Sequence, residues 1–368
     1  MRGLIQDLRL ALRQLRRSPG FAITAVLTLA LGIGATTAIF TLVYDVMLRP
    51  LPYSHAEQLV EMREVVAEFR DAYPTLPMNA NNFFTWQKNS RNFEAMSVMT
   101  QGAMPLGVGD HALETQVLSA TPGLFRVLTM KPILGRAFTE QESQRGQDHV
   151  VELTYSTWKD QFQGDPQIVG RTITLNGFPY TVVGVMPDNL HLGFNDDLSG
   201  ISNGKQIGAI VPLSFSKERL EEVVGDFNYV GLGLLKDGVT VKQANDEINS
   251  LQQMITKGLS GDNSATLSAV LTPLQEKMVG SNRTPLLILL GAVVMLLLVG
   301  CVNITNLLLA RATSRRQQMA VAAALGARSG ELVRLAMRET VVLAGFGCLL
   351  GLLLAELLVP AMQHYMPP

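Results

Sequence analysis

The sequence predicts an integral membrane α-helical protein with three transmembrane helices and a large extracytoplasmic α+β domain. Two observations support this fold class. Only 17% of the 368 residues are charged, whereas about a quarter are charged in a typical soluble domain. The charged residues also fall into blocks that are separated by long uncharged runs. The hydrocarbon core of a bilayer requires such runs in the segments that cross it.

Three uncharged runs are candidates for crossing the bilayer. They cover residues 18–44, 284–310 and 340–355. The first two contain 27 residues each, and a spanning helix needs about 20 apolar residues. The third run is shorter, but apolar residues continue beyond Glu356. We therefore place the transmembrane helices at 20–46, 285–310 and 339–361.

Two of these assignments have alternatives. The first run follows a basic segment, so it could be a cleavable signal peptide. However, the apolar region of a signal peptide has about 7–15 residues and ends in a small-residue cleavage site. This run is longer and continues into Tyr44 and Asp45 without such a site. In the third run, Glu356 is either a solvated residue at the outer boundary or an intramembrane proton site.

The distribution of basic residues predicts the orientation in the membrane. Residues 1–20 contain five arginines and one acid, and residues 311–339 contain six arginines and two acids. In contrast, residues 49–283 contain 19 basic and 26 acidic residues. Because positive residues mark the cytoplasmic side, we expect the N-terminus and residues 311–338 to be cytoplasmic. Residues 49–283 then lie in the periplasm or outside the cell.

The first 19 residues predict a cytoplasmic amphipathic helix. Leu4, Leu8, Leu12 and Leu15 share one helical face, and arginines occupy another. Such a helix lies along the inner leaflet with its apolar face in contact with membrane lipid. The alternative is a plain basic flank before the first transmembrane helix.

The stretch 49–283 predicts a domain of mixed α and β structure. Two β-rich runs flank Asn176-Gly177, and this dipeptide is a strong signal of a two-residue hairpin because both turn positions need positive φ. Residues 239–259 predict an amphipathic helix with Thr240 as its N-cap. Shorter helices are predicted at 79–90, 155–163 and 215–224.

No catalytic, cofactor or metal site is recognisable in the sequence. The five histidines are scattered, and none belongs to an H-E-x-x-H pair or a Cys/His cluster. The stretch "GISNGKQ" (200–206) has three residues between its glycines where a phosphate-binding loop has four, and Gln206 replaces the Ser or Thr that binds Mg²⁺. Basic and acidic residues are mixed throughout 49–283, which argues against nucleic acid as a partner.

Small residues in two predicted spans indicate where helices pack. Helix backbones approach closely where small residues recur every four positions. This spacing occurs in the first span at Ala30, Gly34 and Ala38, and in the third span at Gly347 and Gly351. We expect these residues to form a packed bundle or a dimer face. The alternative is the ordinary use of glycine and alanine in membrane helices.

The second span carries two amides, Asn303 and Asn306, which share one helical face. An amide that faces lipid is costly, so we expect this face to meet protein and form interhelical hydrogen bonds. The alternative is that both amides reach the cytoplasmic interface, because Arg311 follows within about two turns.

Four stretches of the sequence resemble one known family. In order, they resemble the MacB/FtsX-like permeases of ABC transporters, and among these the branch called acidobacterial duplicated orphan permeases. The stretches are spread over residues 12–340, and no single one is a catalytic signature. They are "LRQLRRSPGFAITAVLTLALGIGATTAIFTLVYDVMLRPLPY", "GLFRVLTMKPILGRAFTEQE", "STWKDQFQGDPQIVGRTITLNGFPYTVVGVMP" and "CVNITNLLLARATSRRQQMAVAAALGARSGELVRLAMRET".

The resemblance implies a MacB-type periplasmic core domain at 49–283 and a partial FtsX-type permease domain at 284–368, in the inner membrane of a bacterium. It implies a separate ABC ATPase subunit as partner, and a dimer or a pairing with a second permease half. ATPase closure would be transmitted mechanically to the periplasmic domain to drive efflux. In this family the ATPase docks on a coupling helix after the second span, which maps to about 314–337. The docking residues would be Gln318, Met319, Ala322, Ala323, Leu325 and Gly326.

Some features depart from the family pattern. Glutamate is common where Gln318 stands, and arginine is common where Ala323 stands. The family core has four spans, so we expect this chain to be partial. The main hypothesis is the permease subunit of an ABC exporter. The alternative is a membrane-anchored sensor or scaffold that keeps the permease fold without coupling to an ATPase. A membrane-tethered enzyme is a third possibility, for which the sequence offers no site.

Overall fold

The chain divides into two packed units in the computed structural model. Met1–Arg49 with Ser281–Pro367 form one unit, which we call the membrane unit, and Pro50–Gly280 form the other, which we call the sheet unit. The structure describes residues 18–44, 47, 51–108, 111–188, 207–257, 266–280, 283–314 and 329–365.

The helices and strands of these described residues are numbered in chain order. The helices are α1 (Pro19–Val43), α2 (Ala80–Asn89), α3 (Gly123–Val127), α4 (Tyr155–Phe162), α5 (Lys217–Glu221), α6 (Val241–Lys257), α7 (Leu274–Val279), α8 (Arg283–Ser314) and α9 (Ser329–Tyr365). The strands are β1 (Leu59–Val66), β2 (Phe93–Val108), β3 (His111–Ala120), β4 (Leu134–Gly135), β5 (Val150–Leu153), β6 (Thr172–Leu175), β7 (Phe178–Val185), β8 (Ile207–Pro212), β9 (Val230–Leu235) and β10 (Leu267–Pro273).

The membrane unit consists of α1, α8 and α9, and each is long and apolar enough to cross a membrane. The candidate spans are Pro19–Val43, Arg283–Arg311 and Thr340–Val359, with mean hydropathies of 2.1, 2.9 and 2.4. They coincide closely with the three spans that the uncharged runs predict. Together with the mixed α/β structure of the sheet unit, they confirm the predicted fold class.

All ten strands of the sheet unit belong to one sheet. Its order is β10-β1-β9-β2-β3-β8-β5-β7-β4, and β6 pairs with both β2 and β7. Because β6 joins β2 to β7, the strands β2, β3, β8, β5, β7 and β6 close into a ring. Closure removes the free edges that an open sheet would present. The strands β10, β1 and β9 continue from the other half of β2 as an open sheet.

Apolar side chains fill the inside of the ring. Leu106, Leu175 and Val182 are fully buried there with neighbours from the other ring strands. Trp158 of α4 belongs to the same cluster, and its indole Nε1–H donates to the carbonyl oxygen of Asp165 at 2.9 Å. The ring is therefore a packed core rather than a channel.

Helices α2 and α6 cover the open sheet. Ala244, Ile248 and Leu251 form the apolar stripe of α6 and pack in one cluster with Trp86 of α2. The predicted helix over 239–259 is therefore confirmed. Thr240 and Gln243 form a reciprocal capping box, in which the backbone N–H of each residue donates to the side-chain oxygen of the other at 2.9 and 3.3 Å.

The exposed edge of β10 is covered by amide side chains of α6. Asn249 donates to the carbonyl oxygen of Ala269 and accepts from its N–H, both at 2.9 Å. Asn245 accepts from the N–H of Leu271 at 3.0 Å. These bonds replace those of a neighbouring strand, so they protect an edge that could otherwise pair with another chain.

The predicted hairpin at Asn176-Gly177 is confirmed. Leu175 of β6 pairs with Phe178 of β7, and the two turn residues have φ of 51° and 80°. The short helices predicted at 79–90, 155–163 and 215–224 are also present, as α2, α4 and α5.

Candidate functional site

Helices α1 and α9 contact each other through glycines. A methyl group built on Gly34 would lie 2.9 Å from the carbonyl oxygen of Gly351. One built on Gly351 would lie 3.1 Å from the carbonyl oxygen of Ala30 and 3.0 Å from Cβ of Ile33. One built on Gly347 would lie only 2.5 Å from a side-chain carbon of α1. The two backbones therefore approach as closely as only small residues permit.

Helix α8 contacts α1 along a different set of residues. A methyl group on Gly32 would lie 3.1 Å from Cδ1 of Leu297, and Gly300 approaches Thr28. At one end of α8, the guanidinium carbon of Arg311 lies 4.3 Å from the ring centroid of Phe21, within the range of a cation–π contact. The first span therefore packs against both of the other described spans, and Ala30 and Ala38 are buried within it.

The amides of the second span lie away from these contacts. Asn303 and Asn306 are exposed on α8, whereas Gly300 of the same helix is buried. Two threonine hydroxyls nearby are satisfied within the helix, Thr305 by the carbonyl oxygen of Cys301 and Thr313 by that of Leu309. The expected interhelical hydrogen bonds of the two amides stay a prediction.

The proposed docking residues lie outside the described part of the chain. These are Gln318, Met319, Ala322, Ala323, Leu325 and Gly326, and α8 ends and α9 begins on either side of them. The amphipathic helix expected in the first 19 residues likewise falls before Ser18, where the description begins.

The sheet unit buries a carboxyl group at Glu64 of β1. Its oxygens accept from the N–H of Asn79 and from the side-chain amide of Asn82, both at 2.7 Å. Burial raises the pKa of Glu64 to about 8, although these two hydrogen bonds act in the opposite direction. At neutral pH most of this group is therefore uncharged.

A second buried carboxyl group belongs to Glu152 of β5. The N–H of Phe138 donates to its Oε1 at 2.9 Å. Burial raises its pKa to about 8, and the hydrogen bond and the charge of Arg136 oppose this rise. On the neighbouring surface, the hydrogen bond from Arg136 lowers the pKa of Glu142 to about 2. Among the described residues, no group of three or more His, Cys, Asp or Glu could hold a metal ion.

The sequence analysis missed these buried groups. All eight residues of β1, "LVEMREVV", are buried, including Glu61, Arg63 and Glu64. Charged residues are almost never fully buried unless they are paired, so a strand with this composition indicates a solvated surface. The useful signal was "NANN" at 79–82, because asparagines at the start of a helix offer both caps and amide donors.

Comparison with known proteins relates both units to established families. Residues 22–251 match the family model described as the MacB-like periplasmic core domain. Residues 290–367 match that described as the FtsX-like permease C-terminal domain.

Individual relatives give the same picture. The chain is 26% identical over 246 residues to the macrolide export ATP-binding/permease protein MacB of Bdellovibrio bacteriovorus, covering 65% of this chain and 35% of that protein. It is 24% identical over 282 residues to MacB 1 of Yersinia pestis bv. Antiqua, covering 74% of this chain and 41% of that protein. The chain therefore spans less than half the length of these relatives. The crystal structure of the periplasmic region of MacB from Actinobacillus actinomycetemcomitans is similar to 59% of this chain and covers 89% of its own length, with 16% identity and a TM-score of 0.40.

Proposed function

The chain belongs to the MacB/FtsX-like family of ABC permeases, and we propose that it is the membrane subunit of an ABC-type export system. The observation that carries the proposal is the order of the two family domains along one chain. A MacB-like periplasmic core domain is matched by residues 22–251, and an FtsX-like permease domain by residues 290–367. Three apolar helices and a domain of the periplasmic type fit a protein of the bacterial inner membrane.

The proposed orientation places the N-terminus and residues 311–338 in the cytoplasm. Arginines are concentrated in both segments, and residues 49–283 carry an excess of acids. Positive residues near the ends of a span set its orientation. The sheet unit then lies on the periplasmic side.

The energy source is proposed to be an ABC ATPase on a separate subunit. The family-model matches on this chain describe periplasmic and permease domains, whereas the names of the two MacB relatives combine "ATP-binding" with "permease". The docking site is proposed at the coupling residues Gln318, Met319, Ala322, Ala323, Leu325 and Gly326. Their side chains are small or uncharged, which suits close contact with a protein surface.

The movement that accompanies closure of the ATPase would be transmitted to the sheet unit through the packed spans. Helix α1 contacts α9 through Gly34, Gly347 and Gly351, and such glycine contacts resist sliding because both backbones are in van der Waals contact. A dimer, or a pairing with a second permease half, would cover the exposed face of α8 that bears Asn303 and Asn306.

The proposed ATPase partner is tested by purifying this protein and measuring the ATP hydrolysis that co-purifies with it. The full-length tagged protein is extracted from its native membranes in mild detergent, and vanadate-sensitive ATP hydrolysis is measured in the eluate. The proposal predicts that an ATP-hydrolysing subunit co-purifies in stoichiometric amount. The control is a tagged membrane protein of unrelated family from the same cells.

A second candidate function is a membrane-anchored sensor or scaffold. The presence of Gln318 and Ala323 at positions that commonly carry charges in the family favours it, because a lost charge pair weakens docking. This alternative predicts that the purified protein carries no ATP hydrolysis above the control.

A further inference from the structure

A buried ion pair fastens helix α7 to strand β1. The ammonium of Lys277 lies 3.1 Å from Oε2 of Glu61, and the side chains are 28% and 1% exposed. On the other side of the same carboxylate, Nη1 of Arg63 lies 3.5 Å from Oε1. The carboxylate of Glu61 therefore lies between two cations.

Stability alone does not account for this arrangement. Removing charges from water costs several kcal/mol for each ion, and well-packed apolar residues often stabilise a protein as well as a buried ion pair does. Helix α7 already has an apolar anchor, because Leu274 is 1% exposed and belongs to the core cluster that contains Leu59 of β1. An ion pair adds a directional contact to this packing, and in some proteins buried polar groups of this kind specify one register.

Helix α7 connects the sheet to the second candidate span, so its position on β1 bears on how the two are linked. The helix follows β10 directly, since Pro273 is the last residue of the strand and Leu274 the first of the helix. It ends at Val279, and α8, the second candidate span, begins at Arg283. Along the chain, α7 is therefore the first element of the sheet unit that a displacement of α8 would pull on.

We propose that Lys277 and Glu61 are positioning residues that hold α7 in one register on β1, so that movement of the second span is delivered to the sheet unit. The proposal rests on the proposed function, because it assigns the residues through which that function is transmitted. Without the ion pair, Leu274 would still hold the first turn of α7 on the sheet, but the last turn of the helix could rotate away from β1.

A distance measurement on the full chain tests the register without any partner. Spin labels are attached to cysteines at the exposed positions Glu276 of α7 and Asp160 of α4, in a background with Cys301→Ser and Cys348→Ser. The wild-type chain should give one narrow distance distribution. Lys277→Met should broaden it, and Lys277→Arg, which keeps the charge, should restore it.

Two further variants separate positioning from folding. The apolar triple variant Glu61→Leu/Arg63→Met/Lys277→Met removes Arg63, the second cation beside Glu61, together with the ion pair. It should keep a melting temperature near that of the wild type and still give a broad distribution. Lys242→Met is the matched control, because Lys242 forms an ion pair with Asp246 in which both side chains are exposed and such pairs contribute little. A narrow distribution in Lys277→Met, or in the apolar triple variant, would show that packing sets the register and would overturn the proposal.

A transport measurement tests the consequence in cells. Lys277→Met should lower ATP-driven export about tenfold while ATP hydrolysis continues, since removing one partner of a buried pair is strongly disruptive. Lys277→Arg should export like the wild type. Unchanged export in Lys277→Met would overturn the proposal. If the wild-type chain itself supports no export, the proposed function fails, and the distance measurement still decides the role of the ion pair.

Discussion

Gly347 of α9 lies against Leu29 of α1, so closely that a methyl group at position 347 would be 2.5 Å from the Cβ of Leu29. Two residues earlier on the same helix, Gly345 has open space around it. This pair of glycines tests whether the two spans pack as described.

We predict that Gly347→Ala destabilises the membrane unit by about 1–3 kcal/mol, because the extra carbon forces the two helices apart. Gly345→Ala should be neutral or stabilise it by up to about 1 kcal/mol, because alanine favours a helix over glycine. Unfolding of the full chain in detergent micelles measures both. Equal midpoints for the two variants would contradict the packing of α1 against α9.

The hairpin of the sheet unit gives a second prediction. Gly177 has φ of 80°, which a β-branched residue adopts only under strain, so Gly177→Val should destabilise the sheet unit by about 1–2 kcal/mol. Gly102 of β2 has no atom within 4 Å of an added Cβ and no positive φ. The control Gly102→Val should therefore leave the melting temperature unchanged or raise it, since valine favours strands. A melting temperature of Gly177→Val equal to that of the wild type would contradict the strained turn.

The buried carboxyl of Glu64 makes stability depend on pH. Its pKa is about 8 in the folded state and about 4.5 ordinarily, so the folded state binds the proton more tightly than the unfolded state. The stabilisation is fully present below pH 4.5 and is lost as the pH rises through about 8. Between about pH 5 and about pH 8.5, the free energy of unfolding of the wild type should fall because Glu64 loses its proton. In Glu64→Gln this fall should be smaller, by on the order of 3 kcal/mol.

Glu152 has the same direction of shift, so Glu64→Gln should keep part of the pH dependence and Glu64→Gln/Glu152→Gln should keep less. Denaturant unfolding at several pH values measures these differences. If the single variant and the wild type follow parallel curves, Glu64 does not titrate in this range.

The orientation is tested by thiol labelling. In the background without native cysteines, Lys217→Cys on the exposed surface of α5 and Ser329→Cys at the start of α9 are treated with an impermeant maleimide. On intact spheroplasts, labelling is expected at position 217 and is expected at position 329 only after lysis. The reverse pattern would invert the topology.

Much of the fold could be predicted from sequence, because uncharged runs and a turn dipeptide are recognisable in the sequence alone. A bilayer core excludes charge, so the uncharged runs located the candidate spans within α1, α8 and α9 to within a few residues. The turn at Asn176-Gly177 requires positive φ, which a dipeptide can specify alone. The closure of the ring could not be predicted, because β6 pairs with β2 through two residues alone, Leu106 with Leu175 and Gly107 with Thr174, which are far apart in sequence.

For the candidate sites too, the sequence predicted local features but not the contacts between elements. Spacing indicated that Gly34 and Gly351 suit close helix contact, but which helices meet depends on the tertiary structure. The burial of Glu61 and Glu64 could not be read from β1 alone, because Lys277 and Asn82, which contact their carboxyl groups, come from α7 and α2. Periodicity describes one element at a time, and these contacts join elements far apart in sequence.

We propose that this chain couples to an ATPase through residues 314–337, and the decisive experiment is capture of that ATPase by variants of the full-length protein. Ala323→Asp/Leu325→Asp should insert into the membrane normally, because both positions lie outside the candidate spans. The matched control is Ala103→Asp/Leu113→Asp, which places the same substitutions on exposed residues of β2 and β3. We predict that the control captures the ATP-hydrolysing subunit like the wild type and that Ala323→Asp/Leu325→Asp loses it. Capture by both variants at the wild-type level would show that residues 314–337 do not form the docking site.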